Sequence, residues 1–143
     1  MILISHRGNI SKKIPSMENH PDYIINAIKK GYNVEVDVRL YNRKIYLGHD
    51  KPQYPLTNRL MKFSNKLWFH AKNIDVLPYL KKKKLIYFWH QTDDVVLTSN
   101  GFWWTYPGKK LLKNSICVQP KKIKKNIICA GICSDRIERF RND

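Results

Sequence analysis

Asn33-Val34-Glu35-Val36-Asp37-Val38-Arg39-Leu40 decides the fold. Valines alternate with polar residues, the period-2 signature of a β-strand with one apolar and one polar face. Val34, Val36 and Val38 face one way; Glu35 and Asp37 face the other. Upstream, Ile2-Leu3-Ile4-Ser5-His6 reads as a short buried strand, and Gly8 to Pro21 as a loop rich in Asn, Ser, Lys and Pro. Pro21 to Lys30 has helical spacing through Tyr23, Ile24, Ala27 and Ile28, and Gly31 ends it. Downstream, Asn42-Arg43 is a tight turn into a second strand, Lys44 to Gly48, which delivers His49-Asp50. Next come a helical piece around Thr57 to Phe63, a strand Leu67 to Ala71 and a helix Ile74 to Lys84. Asn73 is the predicted N-cap of that helix, and Ile74, Leu77, Tyr79 and Leu80 its apolar set. Leu85 to Trp89 is an apolar strand. Phe102 to Thr105, Ser115 to Val118 and Ile127 to Ser134 are three more, and Arg139 to Asp143 is expected to fray. Alternating strands and helices argue for an α/β fold with a mostly parallel sheet.

The chain has 143 residues, enough for one domain spanning 1–143, and 43% are hydrophobic, enough to bury a core. Its longest apolar runs are too short to cross a bilayer, and the first residues lack the pattern of a secretory signal. A soluble, intracellular, cytoplasmic protein is the expectation. Cys117, Cys129 and Cys133 fit buried thiols in a reducing compartment, not a zinc site.

Lys and Arg number 27 against 11 Asp and Glu, a net charge of +16. The cations gather at Lys12-Lys13, Lys29-Lys30, Lys81 to Lys84, Lys109-Lys110 and Lys121 to Lys125. Such a surface suits anionic partners, and an anionic membrane is one candidate for the lysine clusters. A merely solvated lysine surface is the favoured reading. Nucleic acid is disfavoured, because no RNP pattern, zinc finger or Arg-rich recognition helix occurs.

The informative feature is where polar side chains stand on strands. His6 ends the first. Glu35 and Asp37 share a face of the second, and His49 follows its hairpin partner. His70 and Lys72 share a face at the end of the next, and His90 ends the one after. In parallel α/β sheets such strand ends converge on a ligand crevice. Two carboxylates on one buried face call for a compensating cation, and oxygen ligands suit a hard divalent ion. Histidines beside it suit proton transfer near neutral pH. The combination reads as metal-assisted cleavage of a phosphate ester, with Arg7 and Lys72 stabilising phosphate charge.

His6-Arg7-Gly8, Glu18-Asn19, the helix closed by Gly31, Glu35-Val36-Asp37-Val38 and His49-Asp50 together resemble the glycerophosphodiester phosphodiesterase family. That family belongs to the TIM-barrel phosphodiesterases that include phosphoinositide phospholipases C. The resemblance is close over residues 1 to about 50 and moderate over 67–72. A weak echo returns at Gly131 to Arg136, which looks like a last barrel strand. It implies a phosphoric diester hydrolase acting on a small phosphodiester: a glycerophosphodiester, a lipid headgroup or a glycan phosphodiester. By position, His6 and His49 would be the catalytic acid–base pair, and Glu35 and Asp37 metal ligands. Arg7 and Lys72 would hold phosphate, with Glu18 and Asn19 lining the pocket.

Two departures stand out. His70 occupies the place of the family's third carboxylate ligand; Mg2+ or Ca2+ stays the expected cofactor, and Mn2+ joins them because an imidazole favours borderline metals such as Mn2+ or Zn2+ over Ca2+. The chain also falls short of the ~200 residues of a full barrel. The expectation is therefore a shortened or incomplete TIM-type β/α barrel with reduced helices in its C-terminal half, a homodimer being one way to close it. His90 is a candidate substrate contact. The alternatives are a catalytically degenerate phosphoester-binding protein and, further off, a basic nucleic-acid-binding protein.

Overall fold

The computed structural model describes residues 1–122 and 128–141. Its framework is one ten-stranded sheet, formed by β1 (Ile2–His6), β2 (Asn33–Tyr41), β3 (Lys44–Leu47), β4 (Tyr54–Pro55), β5 (Leu67–Ala71), β6 (Ile86–Trp89), β7 (Val95–Leu97), β8 (Trp103–Thr105), β9 (Ser115–Val118) and β10 (Gly131–Ser134). Strands pair in parallel in the order β6-β5-β2-β1-β10-β9-β8. Three pairings are antiparallel: β2 with β3, β3 with β4, and β7 with β8. Val38 pairs with Ala71 of β5 and with Leu47 of β3, so β3 takes the edge of β2 that β1 leaves beyond Glu35.

This overturns the expected TIM-type barrel. The sheet is a strand-rich, mixed half-barrel, and α-helices do not alternate with strands. The described residues hold three short ones, α1 (Pro21–Lys29), α2 (Asn58–Met61) and α3 (Leu77–Lys82). The physical reason is length: a helical crossover needs about a dozen residues beyond its strand connections. The segments after β6, β7 and β8 are filled by turns and by the extra antiparallel strand β7.

The curl has two faces with different cores. On the outer face Val34, Val36 and Val38 pack with Leu67, Phe69, Ile24, Ala27, Val76 and Leu80. On the inner face Ile4, Trp68, Phe88, Trp104, Ile116, Val118 and Cys133 form a second cluster. Phe88 stacks on Trp104 at 4.5 Å between ring centroids, and on the other side His70 stacks on Phe88 at 4.7 Å. These aromatics floor the concave side, and polar residues sit one step further along the same strands. Ser99, just after β7, reaches β6: its N–H donates to the Tyr87 carbonyl (2.8 Å), and its hydroxyl accepts from the Tyr87 N–H (2.9 Å).

Several local expectations change. Ile74–Val76 is a 3-10 turn before α3, and Ile74 is exposed instead of packed. Asn73 does not cap that helix; its side chain pairs with both the N–H and the C=O of Leu40, extending the edge of β2. The last strand starts at Gly131, not at residue 127, which lies outside the described residues. Strands β4 and β7 were not anticipated. Arg141, placed in a frayed end, donates to the Lys30 carbonyl and stacks over Tyr32; residues 142–143 lie outside the description. Of the three thiols Cys133 is buried, whereas Cys117 and Cys129 are half-buried. No helix is long and apolar enough to cross a membrane among the described residues.

Candidate functional site

Carboxyl ends of the parallel strands open onto one cavity of about 400 Å3. It is lined by His6, Arg7, Glu35, His49, His70, Lys72 and His90, with Trp104, Tyr106 and Val118 closing the far side. β1 supplies His6 and β2 supplies Glu35, with Asp37 fully buried two residues further along the same strand. The turn after β3 supplies His49, β5 supplies His70 with Lys72 just beyond it, and the end of β6 supplies His90.

Register explains the convergence. His6 pairs with Glu35, and Asp37 pairs with His70, so four polar residues on three adjacent strands stand in neighbouring rows. Glu35, Asp37 and His70 are buried. His70 Nδ1 lies 3.4 Å from Glu35 Oε1 and 3.5 Å from Asp37 Oδ1. These separations are long for hydrogen bonds, and they match the roughly 3–3.5 Å between two donors on one ion bound at about 2.1 Å. Glu35 Oε2, Asp37 Oδ1 and His70 Nε2 are buried without hydrogen-bond partners. Unpaired buried polar atoms are costly. A cation between His70 Nδ1, Glu35 Oε1 and Asp37 Oδ1 would relieve the cost at Asp37 Oδ1 and offset both carboxylate charges, so these three facing atoms fit a divalent ion, Glu35 and Asp37 giving oxygen and His70 nitrogen. Burial pushes the Glu35 carboxyl up, but His6, His70 and Arg7 outweigh it and hold it well below the usual range.

A second group, His6, Glu18 and Asp135, is as tightly clustered; in both groups the ligand atoms lie within 4.8 Å of one another. Its chemistry differs. The Asn9 amide donates to Glu18 Oε1 (3.0 Å) and to Asp135 Oδ1 (2.8 Å). Arg7 Nη1 donates to Glu18 Oε2, and His6 Nδ1 lies 2.6 Å from Asp135 Oδ1. Those partners already meet the charge, and Asn9 stands where an ion would sit. The pairing with Asp135 fixes His6 and points Nε2 toward Glu35 Oε2, 3.8 Å away. Burial lowers the His6 pKa, but Asp135 and Glu35 outweigh it and raise it above the ordinary imidazole value. Burial raises that of Asp135, but the bond and charge of His6, the Asn9 amide and Lys13 together outweigh it and lower it below the ordinary carboxylate value.

His49 stands on the rim, its side chain 42% exposed, with Nδ1 2.6 Å from Asp50 Oδ1. Gly48 at φ +146° makes its position possible: a Cβ there would lie 2.0 Å from the Lys51 carbonyl oxygen. Arg7 lines the cavity, yet its Nε is 2.8 Å from Asp37 Oδ2 and its Nη1 is on Glu18. It therefore orders carboxylates as much as it faces a ligand. It does so from a left-handed conformation, φ +55°, pinned by the bonds of its N–H to Glu35 O and of its carbonyl to Asn19 N–H. The next residue needs glycine, since a Cβ on Gly8 would be 2.6 Å from the Tyr23 ring. Asn19 does not reach this cavity: it accepts from the Asp37 N–H and donates to Asp37 Oδ2, fixing that side chain. Glu18 and Asn19 line a neighbouring cavity that shares Arg7 and His49. His90 stacks on Tyr106 at 3.8 Å, and burial lowers its pKa.

Asp135 and Asn9 belong to this site and carry no sequence-derived role. Asp135 is visible as the polar residue just past the last strand, the same signal that marks His6 and His90. Asn9 offers no such signal. Tyr106, which the sequence places in the core or on the rim with substrate stacking as the lesser reading, lines the cavity against His90.

Compared with family models, with curated proteins and with solved structures, the chain gives no match.

Proposed function

We propose that this protein is a divalent-cation-dependent phosphodiesterase acting on a small phosphodiester. The observation that carries the reading is the buried Glu35–Asp37–His70 cluster, whose ligand-type atoms lie within 4.8 Å of one another, beside a cavity lined by Glu35, His70, His6, His49 and Lys72. The resemblance at His6-Arg7-Gly8, Glu35 to Val38 and His49-Asp50 points the same way.

Glu35, Asp37 and His70 would hold the ion, which when bound supplies positive charge against a non-bridging phosphate oxygen. Mg2+ and Mn2+ suit this mixed oxygen and nitrogen set. His6, kept protonated by Asp135, serves as the acid that hands a proton to the departing alkoxide. His49, more exposed and beside Asp50, serves as the base for the attacking hydroxyl or water. Lys72 offsets charge on the phosphate, and Arg7 keeps Asp37 and Glu18 aligned.

A second reading has one observation in its favour. His70 Nδ1 already faces both carboxylates, at 3.4 Å from Glu35 and 3.5 Å from Asp37, and a site closed by that ring without an ion would bind a phosphoester without turning it over.

The test is hydrolysis of bis(p-nitrophenyl) phosphate after chelator treatment and re-addition of Mg2+, Mn2+ or Ca2+, with His6→Ala alongside. Turnover should require metal and fall about a hundredfold or more in the variant. Equal rates in wild type and variant would remove the catalytic claim. Phosphate binding without turnover under every metal would favour the second reading.

A further inference from the structure

Beside the central cavity lies another, of about 480 Å3, that the reaction outlined above does not use. It is lined by Lys13, Lys121, Arg136 and Arg139, with Gln119 and Phe140 at its sides. Asp135 is on its wall and also holds His6, which lines the central cavity, so the His6–Asp135 pair links the two spaces. Arg136 and Arg139 flank the start of the 3-10 turn Ile137–Phe140, and the Arg139 N–H donates to the Arg136 carbonyl. Arg136 precedes the turn and Arg139 lies within it, and both side chains line this one cavity. Gln119, at φ +47°, accepts from the Asp135 N–H and locks the wall in place.

The charge balance here is one-sided. Among the described residues Asp135 is the one acid on the lining, and it is occupied by His6 and Asn9. Among the described residues, Lys13, Lys121, Arg136 and Arg139 form no salt bridge. Lys13 also lines the cavity that shares Arg7 and His49 with the centre. A run of cationic side chains thus leads from the candidate phosphate position to the paired arginines. Guanidiniums in pairs recognise phosphate oxygens by forked hydrogen bonds better than they recognise neutral alcohols.

We propose that Lys13, Arg136 and Arg139 form a second anion subsite, which takes a further phosphate carried on the alcohol of the substrate. This rests on the phosphodiesterase reading and narrows it: the substrate is a polyphosphorylated phosphodiester, not a simple neutral-alcohol one.

The experiment is calorimetric titration of metal-free protein with tripolyphosphate and with orthophosphate at physiological salt. Three proteins are compared: wild type, the triple variant Lys13→Ala/Arg136→Ala/Arg139→Ala, and a charge-matched control, Lys81→Ala/Lys82→Ala/Lys83→Ala, whose lysines lie on and after α3. Wild type and control should bind tripolyphosphate at least about tenfold tighter than orthophosphate, and the triple variant should lose that preference. The proposal is overturned if the triple variant keeps the preference, or if the control loses as much. Bis(p-nitrophenyl) phosphate hydrolysis by wild type is measured in parallel. A protein that shows the binding preference but no turnover would retain the subsite and lose the phosphodiesterase reading.

Discussion

Two clusters of acids and histidines lie side by side in this protein, and they have been given opposite surroundings. His6, Glu18 and Asp135 are bridged by the Asn9 amide and closed by Arg7. Glu35, Asp37 and His70 are deeper, share fewer donors and leave an atom unpaired on each residue. Equal spacing of ligand-type atoms therefore does not make equal sites. What separates them is whether the chain has already supplied the hydrogen-bond donors. The first cluster is a finished network that holds the His6 ring in place; the second is an unfinished one that a cation would complete.

The sharpest way to break that contrast is to remove one carboxylate from each cluster and measure cation binding. Asp37→Asn should weaken Mn2+ or Mg2+ binding by more than about a hundredfold by calorimetry, since even residues that only support ligands cost ten- to a hundredfold. Asp135→Asn should leave that affinity within a few-fold of wild type. If both variants lose metal alike, the clusters are not distinct. Next in size is the effect of Asp135→Asn on turnover, a drop of roughly ten- to a hundredfold.

The same variant reports on pH. In the folded protein the His6 pKa is raised, so its interaction with Asp135 is fully stabilising below the ordinary imidazole value. That contribution disappears as pH rises through the raised pKa. The Asp135 pKa is lowered, so its share is present above the ordinary carboxylate value and is lost as pH falls through the lowered one. Thermal melting of wild type should accordingly lose stability at both ends of that window, and Asp135→Asn should flatten the profile. NMR titration should find the His6 ring pKa lower in Asp135→Asn than in wild type; an unchanged value would show that Asp135 does not hold the proton on His6. The smallest effect is expected from Asn9→Ala. It strips the donor between two carboxylates at a buried position and should cost about 1–3 kcal/mol by denaturant unfolding, with cation affinity intact.

How much of this could be read from the chain follows the range of the interactions. The Val34 to Val38 alternation is local, and it set both faces of β2 before any packing was known. His6, His70 and His90 announced themselves as polar residues at the ends of apolar runs. The barrel expectation failed because it extended an N-terminal alternation of strands and helices into segments too short to hold helices. β4 escaped notice because Pro55 argues against a strand. β7 did so because Val95 to Leu97 is short and follows the polar run His90 to Asp94. Asn73 has the residue type of a helix cap, and only the fold shows that Leu40 claims its amide. Asp135 sits 129 positions from His6, a pairing that no local pattern encodes.

Ser99 carries a consequence for the molecule among its own kind. β6 ends one side of the sheet, and a bare strand margin invites another chain to add itself there. The Ser99 N–H and hydroxyl occupy both backbone groups of Tyr87, and the hydroxyl donates on to the Leu85 carbonyl. One residue thus stands in for a missing neighbour strand and blunts the margin against fibre-like stacking.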